Sequence, residues 1–150
     1  MKLSIIIPTF NNQKGLQKCL EKLQESLKLL KEKSEIIVVA NDVSQWLATS
    51  NWWLEKSKIQ LIKNEKNLGF AVACNQGAEK AKGEYLLFLN DDCYVEKNTL
   101  DEMVKFLDKN QNLAATQPIV YQNPKFQIPN SKKQTIPNIQ IQTSKFKTSV

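Results

Sequence analysis

The sequence predicts an α/β fold in which a mainly parallel sheet is covered by helices on both faces. Short apolar runs alternate with segments of helical periodicity along the first 121 residues. The runs are continuously apolar, which is typical of parallel strands buried on both faces. Polar clusters follow the ends of the runs, and open α/β sheets bind ligands at the carboxyl ends of their strands. We therefore expect one α/β domain with a ligand site along one sheet edge.

Five apolar runs predict the strands, and the fifth is the least clear. They lie at residues 3–7, 36–40, 59–62, 85–89 and 113–121. The fourth run, Tyr-Leu-Leu-Phe-Leu, is so apolar that we expect a strand buried on both faces. Polar residues directly after such a strand would stand at the opening of a site.

Four helical patterns lie between these runs. The first is a leucine stripe at spacings of three and four, formed by Leu16, Leu20, Leu23, Leu27 and Leu30. The second covers residues 44–56, with Trp46 and Trp53 on one face. The third, residues 70–81, is rich in small residues and is expected to pack closely on the sheet. The fourth covers residues 99–108, and its inward residues are Leu100, Met103, Val104 and Leu107.

Composition narrows the class of protein. The 150 residues suffice for about one domain, and no apolar stretch is long enough to span a bilayer. The apolar start is too short for a signal peptide. Three dispersed cysteines suit a reducing compartment, so we expect a cytoplasmic protein. Histidine is absent, which excludes every histidine-dependent triad, dyad and zinc site.

The net charge of +6 belongs mostly to the end of the sequence. Residues 1–121 hold sixteen lysines and all fifteen acids, whereas residues 122–150 hold five lysines and no acid. This basic segment is interpreted as a mobile tail, an edge strand, or a segment that folds on a partner. It is also a candidate for peripheral contact with the inner membrane face. The absence of arginine argues against base-specific reading of nucleic acid, and we expect no nucleic-acid partner.

Polar clusters at residues 8–12, 41–42, 64–69 and 90–92 follow the first four runs. Carboxylate and amide oxygens suit a hard cation such as Mg²⁺ or Mn²⁺. If the chain stays extended, Asn90 and Asp92 share one face and Asp91 takes the other. Neither a P-loop nor a G-x-G-x-x-G motif is present, and four glycines cannot build a glycine-rich phosphate cradle.

Three segments, in this order and spacing, resemble the family 2 glycosyltransferases of the GT-A type. They are S-I-I-I-P-T-F-N at residues 4–11, N-L-G-F-A running to N-Q-G at 67–77, and G-E-Y-L-L-F-L-N-D-D at 83–92. The resemblance covers about residues 3–121. It implies a GT-A type, Rossmann-like sandwich that binds a UDP- or dTDP-sugar with Mg²⁺ or Mn²⁺. Most of the acceptor half of that fold is missing here.

The resemblance also implies roles for individual residues. Those implied to bind the donor are Pro8, Thr9, Phe10, Asn11, Asn41, Asp42, Asn67, Gly69, Phe70, Asn75 and Asp91. Asp92 stands in the D-x-D motif as the principal metal ligand, with Asn90 in the first position as in the rhamnosyltransferase-like branch. Thr9 and Asn11 have an alternative role as caps of the first long helix.

Two departures from the family pattern leave alternatives open. Ala40 occupies the position of the usual base-reading aspartate, so either Asp42 replaces it with a shifted backbone or base recognition is weakened. No carboxylate follows Asp108, and the general base that activates the acceptor is unknown. The chain is interpreted as a glycosyltransferase acting on an unknown saccharide or lipid-linked glycan. The alternative is a non-catalytic donor-binding module, or a subunit that needs a partner.

Overall fold

The computed structural model describes residues 1–42 and 59–118. Its elements are β1 (Leu3–Phe10), α1 (Gln13–Leu27), β2 (Ser34–Asn41), β3 (Gln60–Asn64), α2 (Phe70–Lys80), β4 (Tyr85–Phe88) and α3 (Thr99–Lys109). The chain divides into two units, Met1–Asp101 and Glu102–Val150. The predicted helix at 44–56 and the predicted tail at 122–150 lie outside the described residues.

The first unit contains a parallel four-stranded sheet in the order β3-β2-β1-β4. The connection from β1 to β2 and the connection from β3 to β4 run in opposite directions along this sheet. Right-handed crossovers therefore place α1 and α2 on opposite faces. Ile5, Ile6 and Ile7 of the central strand are all fully buried, so both faces are covered there. The predicted parallel α/β sandwich is confirmed.

Helix α1 buries the predicted leucine stripe. Leu16, Leu20 and Leu23 are buried, and the helix ends at Leu27, with Leu30 buried beyond it. The side-chain oxygen of its N-cap residue, Asn12, accepts a hydrogen bond from the backbone N–H of Gly15 at 3.2 Å. The cap is therefore Asn12, and neither Thr9 nor Asn11, which the sequence offered as alternatives.

Helix α2 approaches the sheet closely because its inward residues are small. Ala73 packs with Ile6, Ile37 and Val39 in a buried cluster. A β-carbon at Gly77 would lie 2.4 Å from the Cγ2 atom of Ile6, so the glycine is needed for this separation. The predicted close packing of this segment is confirmed.

Strand β4 is not buried on both faces, and that prediction is wrong. Leu86 is 43% exposed and Phe88 is 47% exposed. They pair in register with Ser4 and Ile6, which places them on the face covered by α2 further along the sheet. The reason is topological, because β4 is the edge strand of the described sheet and α2 lies over β1 and β2.

The predicted fifth strand is also wrong where it can be checked. Residues 113–118 form no strand, and residues 119–121 lie outside the described part. Ala114 and Ala115 have low strand propensity, and Pro118 cannot donate to a ladder. In the second unit, the side-chain amide of Asn110 instead donates to the carbonyl of Phe106 at 2.8 Å and closes the end of α3.

The inward face predicted for α3 is confirmed at two of its four positions. Leu100 and Val104 are buried, whereas Met103 and Leu107 are half-buried. In the described part of the chain, no helix is both long and apolar enough to cross a membrane.

A set of hydrogen bonds joins β1, β2 and the segment before β4 at the amino-terminal ends of the strands. The fully buried Ser4 hydroxyl donates to Glu35 at 2.6 Å and accepts from the Gly83 N–H at 2.8 Å. The Lys82 N–H donates to the same Glu35 oxygen at 2.7 Å. These bonds satisfy the backbone N–H groups that lead into β4.

We predict that Gly83→Ala destabilises the protein by about 1–3 kcal/mol, the usual range for overpacking. The added β-carbon would lie 2.5 Å from the backbone nitrogen of Ser4, and a backbone atom cannot move aside easily. Urea unfolding of the variant measures the loss, with Glu79→Ala on the exposed surface of α2 as the control. Equal midpoints for Gly83→Ala and the wild type would contradict the prediction.

Candidate functional site

The carboxyl ends of three strands form a continuous rim. Phe10, Asn41 and Asn64 are the last residues of β1, β2 and β3, and they are aligned in register. Adjacent strands are about 4.8 Å apart, so these residues stand side by side. Asn11 and Asp42, directly after the first two strands, both adopt left-handed backbone angles with φ of 50° and 57°. The rim is thus where the chain leaves regular structure.

Pro8 ends the hydrogen-bond ladder between β1 and β4. The carbonyls of Lys2 and Ile6 accept from N–H groups of Tyr85 and Leu89 at 2.9 and 3.0 Å. The backbone N–H and C=O groups of the even-numbered residues of β1 therefore point toward β4. Pro8 faces the same side but has no N–H to offer. The chain after Leu89 therefore leaves the ladder at the level of the rim.

The segment after Leu89 is a turn and not an extension of the strand. The N–H of Cys93 donates to the carbonyl of Asn90 at 3.1 Å. The sequence predicted that the side chains of Asn90, Asp91 and Asp92 alternate between two faces, as in an extended strand. That prediction is wrong, because the strand ends at Phe88. The two acids nevertheless have different surroundings.

Asp91 is held by two side chains from the start of the fold. Its Oδ2 atom accepts from the hydroxyl of Thr9 at 2.6 Å, and its Oδ1 atom accepts from the Nδ2 atom of Asn12 at 3.0 Å. Thr9 is buried, with 3% of its surface exposed. The structure thus brings together Thr9 and Asp91, which the sequence assigned to one site.

Asp92 is exposed at the rim, next to the anchored Asp91. Its Oδ1 atom lies 3.8 Å from the thiol of Cys93, a weak contact. Asn90 is exposed as well, and its carbonyl accepts from the thiol of Cys19 at 3.7 Å. Asp92 thus presents its carboxylate outward.

Cys19 is a neutral packing residue beneath this turn. Burial raises the pKa of the Cys19 thiol to about 12. Electrostatic interactions with Asp91, Cys93 and Asp92 raise this pKa as well. The pKa of Cys74 is also raised by burial. A thiol that stays protonated is neither a nucleophile nor a thiolate ligand near neutral pH.

Asn90 and Asp92 are the exposed oxygen-bearing side chains of the turn. Among the described residues, no three histidine, cysteine or carboxylate side chains come together as a protein-only cage. Asp92 and the side-chain oxygen of Asn90 offer a partial set of hard oxygen ligands. Mg²⁺ typically binds one or two carboxylates and is completed by water and substrate phosphates.

An amide cluster supports the other half of the rim. The Nδ2 atom of Asn64 donates to Asn41 at 2.9 Å and to Gln76 at 2.8 Å, and Gln76 donates back to Asn64 at 3.0 Å. Asn41 also donates to the carbonyl of Gly69 at 3.4 Å. Asn41 and Asn64 are buried. The cluster therefore fixes the start of α2 against the ends of β2 and β3.

A hydrogen bond within the loop before α2 stabilises that loop. The side chain of Asn67 accepts from the N–H of Gly69 at 2.9 Å. Gly69 is the N-cap of α2 with φ of 86°, a conformation that other residues rarely adopt. Phe70 follows with 58% of its surface exposed, and Asn75 is exposed one turn later. The first-turn N–H groups of α2 consequently begin at an open edge.

The structure brings some predicted site residues into contact and leaves others apart. Asn41 and Asn67 both bind Gly69, as Thr9 binds Asp91. Phe10 and Asn11 are exposed on the rim, and Pro8 is buried within β1. The residues that the sequence interpretation left without a role are Asn12, Asn64 and Gln76. An asparagine shortly before a leucine stripe is a typical N-cap signal, but Asn11 and Asn12 both carry it, so the sequence does not separate them.

Known proteins are similar to this chain in sequence and in fold. TarS, a poly(ribitol-phosphate) beta-N-acetylglucosaminyltransferase of Staphylococcus aureus, is 29% identical over 75% of this chain. A poly(ribitol-phosphate) beta-glucosyltransferase of Bacillus spizizenii is 33% identical over 75% of this chain. These matches cover 20% and 18% of the two relatives, so the chain spans about a fifth of their length.

Solved structures agree with the fold. The crystal structure of S. aureus TarS 1-349 in complex with UDP-GlcNAc has a TM-score of 0.62 and is 27% identical, over 74% of this chain and 32% of that chain. A mannosyltransferase of Pyrobaculum calidifontis has a TM-score of 0.63 at 23% identity, over 71% of this chain and 32% of that chain, and shows the fold alone. The family profile named Glycosyl transferase family 2 matches residues 4–149. Since that match covers nearly the whole sequence, this chain belongs to glycosyl transferase family 2.

Proposed function

We propose that the chain binds a nucleotide-sugar donor together with Mg²⁺ or Mn²⁺ at the rim, as the donor-binding part of a glycosyltransferase. The observation that carries the proposal is the pair of neighbouring acids after β4. Asp91 is anchored by Thr9 and Asn12, while Asp92 is exposed beside it. One acid fixes the turn, and the other is available for a ligand.

The donor class follows from the relatives. S. aureus TarS has been crystallised with UDP and with UDP-GlcNAc, and both structures are more than a quarter identical to this chain. A UDP-sugar is therefore the first choice, and a dTDP-sugar is the second. We assign the nucleoside to the side of the rim that carries Pro8, Thr9, Phe10 and Asn11, and the diphosphate to the start of α2.

Asp92, with Asn90, would hold the cation. Neither side chain is buried, and the set is incomplete until phosphate oxygens and water join it. When bound, the cation supplies positive charge that stabilises the departing nucleoside diphosphate. The first-turn N–H groups of α2 add a second anion-binding element near Gly69. Asn67 and the amide cluster keep this helix start in place.

Asp42 is our candidate for reading the base. Asn41 is buried, and its side chain is engaged with Asn64 and Gly69. Ala40 is also buried and has no polar side chain. The left-handed backbone at Asp42 redirects the chain immediately after β2, which supports a replacement through a shifted backbone.

A second candidate function is a donor-binding module that does not catalyse transfer. Residues 109–150 contain no carboxylate that could serve as a general base. The acceptor, a saccharide or a lipid-linked glycan, would then meet its base on a partner subunit. Contact of the lysine-rich residues 122–150 with an anionic membrane remains a prediction of the sequence.

We predict that the purified chain binds UDP more tightly with Mn²⁺ than without it, and that Asp92→Ala removes most of this gain. Loss of the carboxylate that we assign to the cation should weaken Mn²⁺-dependent binding at least about tenfold, or about 1.4 kcal/mol. Calorimetric titration with UDP, dTDP and GDP, each with and without Mn²⁺, measures the effect.

The matched control for this titration is Glu96→Ala, an exposed acid just beyond the turn. It should leave the Mn²⁺-dependent gain unchanged. The site assignment is wrong if Asp92→Ala binds UDP and Mn²⁺ as the wild type does. The nucleotide preference in the same experiment tests the choice of UDP.

We further predict that the isolated 150-residue chain binds the donor but transfers its sugar poorly, because none of its acids outside the metal motif is an obvious general base. Mass spectrometry of candidate acceptors incubated with UDP-sugars and Mn²⁺ provides the measurement. Robust turnover by the pure chain would contradict this prediction and would require a base among the acids up to Asp108. Activity that appears only on mixing with a second polypeptide would favour the module.

A further inference from the structure

We infer that Asn12 is a positioning residue for the metal-binding turn, acting through Asp91 from the N-cap of α1. The inference rests on the proposed function, because it concerns how Asp92 is presented to the cation. It adds a residue for which the sequence interpretation had no role. The argument depends on two atoms of one side chain that do two different things.

The oxygen of the Asn12 side chain serves the helix, and the nitrogen serves the turn. Oδ1 accepts from the N–H of Gly15 at 3.2 Å, and Nδ2 donates to Oδ1 of Asp91 at 3.0 Å. An amide carries its acceptor and its donor on two separate atoms, whereas the hydroxyl of serine has both on one atom. The side chain therefore links the first turn of α1 to a turn 79 residues later.

Gly15 is what allows this arrangement. A β-carbon there would lie 2.3 Å from Nδ2 and 2.6 Å from Oδ1 of Asn12. Any larger residue would displace the amide from its position over the first turn. A glycine in the first turn of a helix costs helix propensity. The close fit of Asn12 against Gly15 gives a physical reason for that glycine.

Within residues 1–42 and 59–118, few hydrogen bonds hold the turn at residues 90–93. Leu89 makes the last ladder bond to Ile6, and beyond it the described contacts to the rest of the fold come from Thr9, Asn12 and a weak thiol contact. Each oxygen of Asp91 has one of the two strong bonds, so both the position and the rotation of the carboxylate are fixed. Asp92 is the next residue, so anchoring Asp91 also restrains the backbone from which the Asp92 side chain starts.

The identity of the cap residue supports a role beyond capping. Asparagine, aspartate and serine cap helices about equally well, and aspartate also favours the helix dipole. An aspartate at position 12 would place a second carboxylate against Asp91, with no hydrogen to donate. Capping alone predicts similar behaviour for all three residues, whereas positioning predicts the order Asn, then Ser, then Asp.

The test compares Asn12→Ser and Asn12→Asp with the wild type in the full chain. Amide exchange of Cys93 by NMR reports the turn, and amide exchange of Leu16, which donates to the carbonyl of Asn12, reports the helix start. We expect Cys93 to exchange at least about tenfold faster in Asn12→Ser, as for loss of one hydrogen bond to a charged group, with Leu16 nearly unchanged. Asn12→Asp should show the larger effect.

UDP titration of the same proteins gives the second readout. The Mn²⁺-dependent gain in affinity should fall about fivefold or more in both variants, while binding of UDP without metal stays within about twofold. Gln13→Ser, one residue further on, is the control for a change beside the cap.

Equal exchange of Cys93 in the wild type and Asn12→Ser overturns the inference, whatever the nucleotide results. An unchanged Mn²⁺-dependent gain in a variant with a loosened turn overturns it as well. Faster exchange in a series where even the wild type binds no nucleotide has a different meaning. It supports the role of Asn12 in holding the turn and refutes the proposed donor site. Should Asn12→Asp fail to fold, Asn12→Ser alone decides.

Discussion

The end of one hydrogen-bond ladder determines where this molecule has a site. Strand β1 pairs with β2 along its whole length, but it pairs with β4 only up to Ile6. Pro8 faces β4 without an N–H, so the ladder cannot continue there. Proline is rare in central strands for this reason. Because Pro8 ends the pairing, residues Asn90–Cys93 turn away from β1, while β1 itself continues through Thr9.

This early release explains why Thr9 and Asp91 meet. Had the two strands stayed paired, the residue after Leu89 would have continued the pleat, and Asp91 would have stood in the sheet. Because the chain turns instead, its carboxylate reaches the hydroxyl of Thr9 and the amide of Asn12. A carboxylate with two such donors is well satisfied, although it is only half-buried. The geometry of the acids thus depends on the strand beside them.

The second half of the rim is built with neutral groups. Asn41, Asn64 and Gln76 satisfy one another and the carbonyl of Gly69 through side-chain amides. Buried amides can form such a network without the desolvation cost of a buried ion. The carboxylate of Asp92 is therefore left as an exposed charge near a rim of largely neutral polar groups, an arrangement that suits an incoming cation and diphosphate.

Much of the fold was predictable, because it depends on pattern. Continuous apolarity gave the parallel strands, and the leucine stripe gave α1. Apolarity alone could not show that β4 is an edge strand, since Leu86 and Phe88 are as apolar as buried residues yet remain exposed. Burial depends on which strands are neighbours, and that order is a property of the whole chain. The fifth run failed because Ala114 and Ala115 are apolar without favouring a strand.

The sequence predicted which residues belong to the candidate site better than it predicted the contacts between them. Motif resemblance selected Thr9, Asp91 and Asp92, and the structure joins the first two. It did not select Asn12 or Gln76. Their roles arise from partners that are distant in the sequence, 79 residues away for Asn12 and 12 residues away for Gln76. Alternation gave the wrong basis for separating Asp91 from Asp92, because it assumes that a strand continues. The local sequence holds no direct sign that Pro8 ends the pairing with β4, since the partner strand is about 80 residues away.

The two edges of the sheet show how stability and function are separated. At the amino-terminal edge, Ser4, Glu35 and Gly83 form a closed set of short hydrogen bonds. At the carboxyl edge, Asn11 and Asp42 hold left-handed backbones that cost on the order of 1 kcal/mol each. Folding alone gives no reason to concentrate such conformations on one edge. They lie on the edge where we propose that the donor binds, and sharp turns at this edge redirect the chain as it leaves the strands.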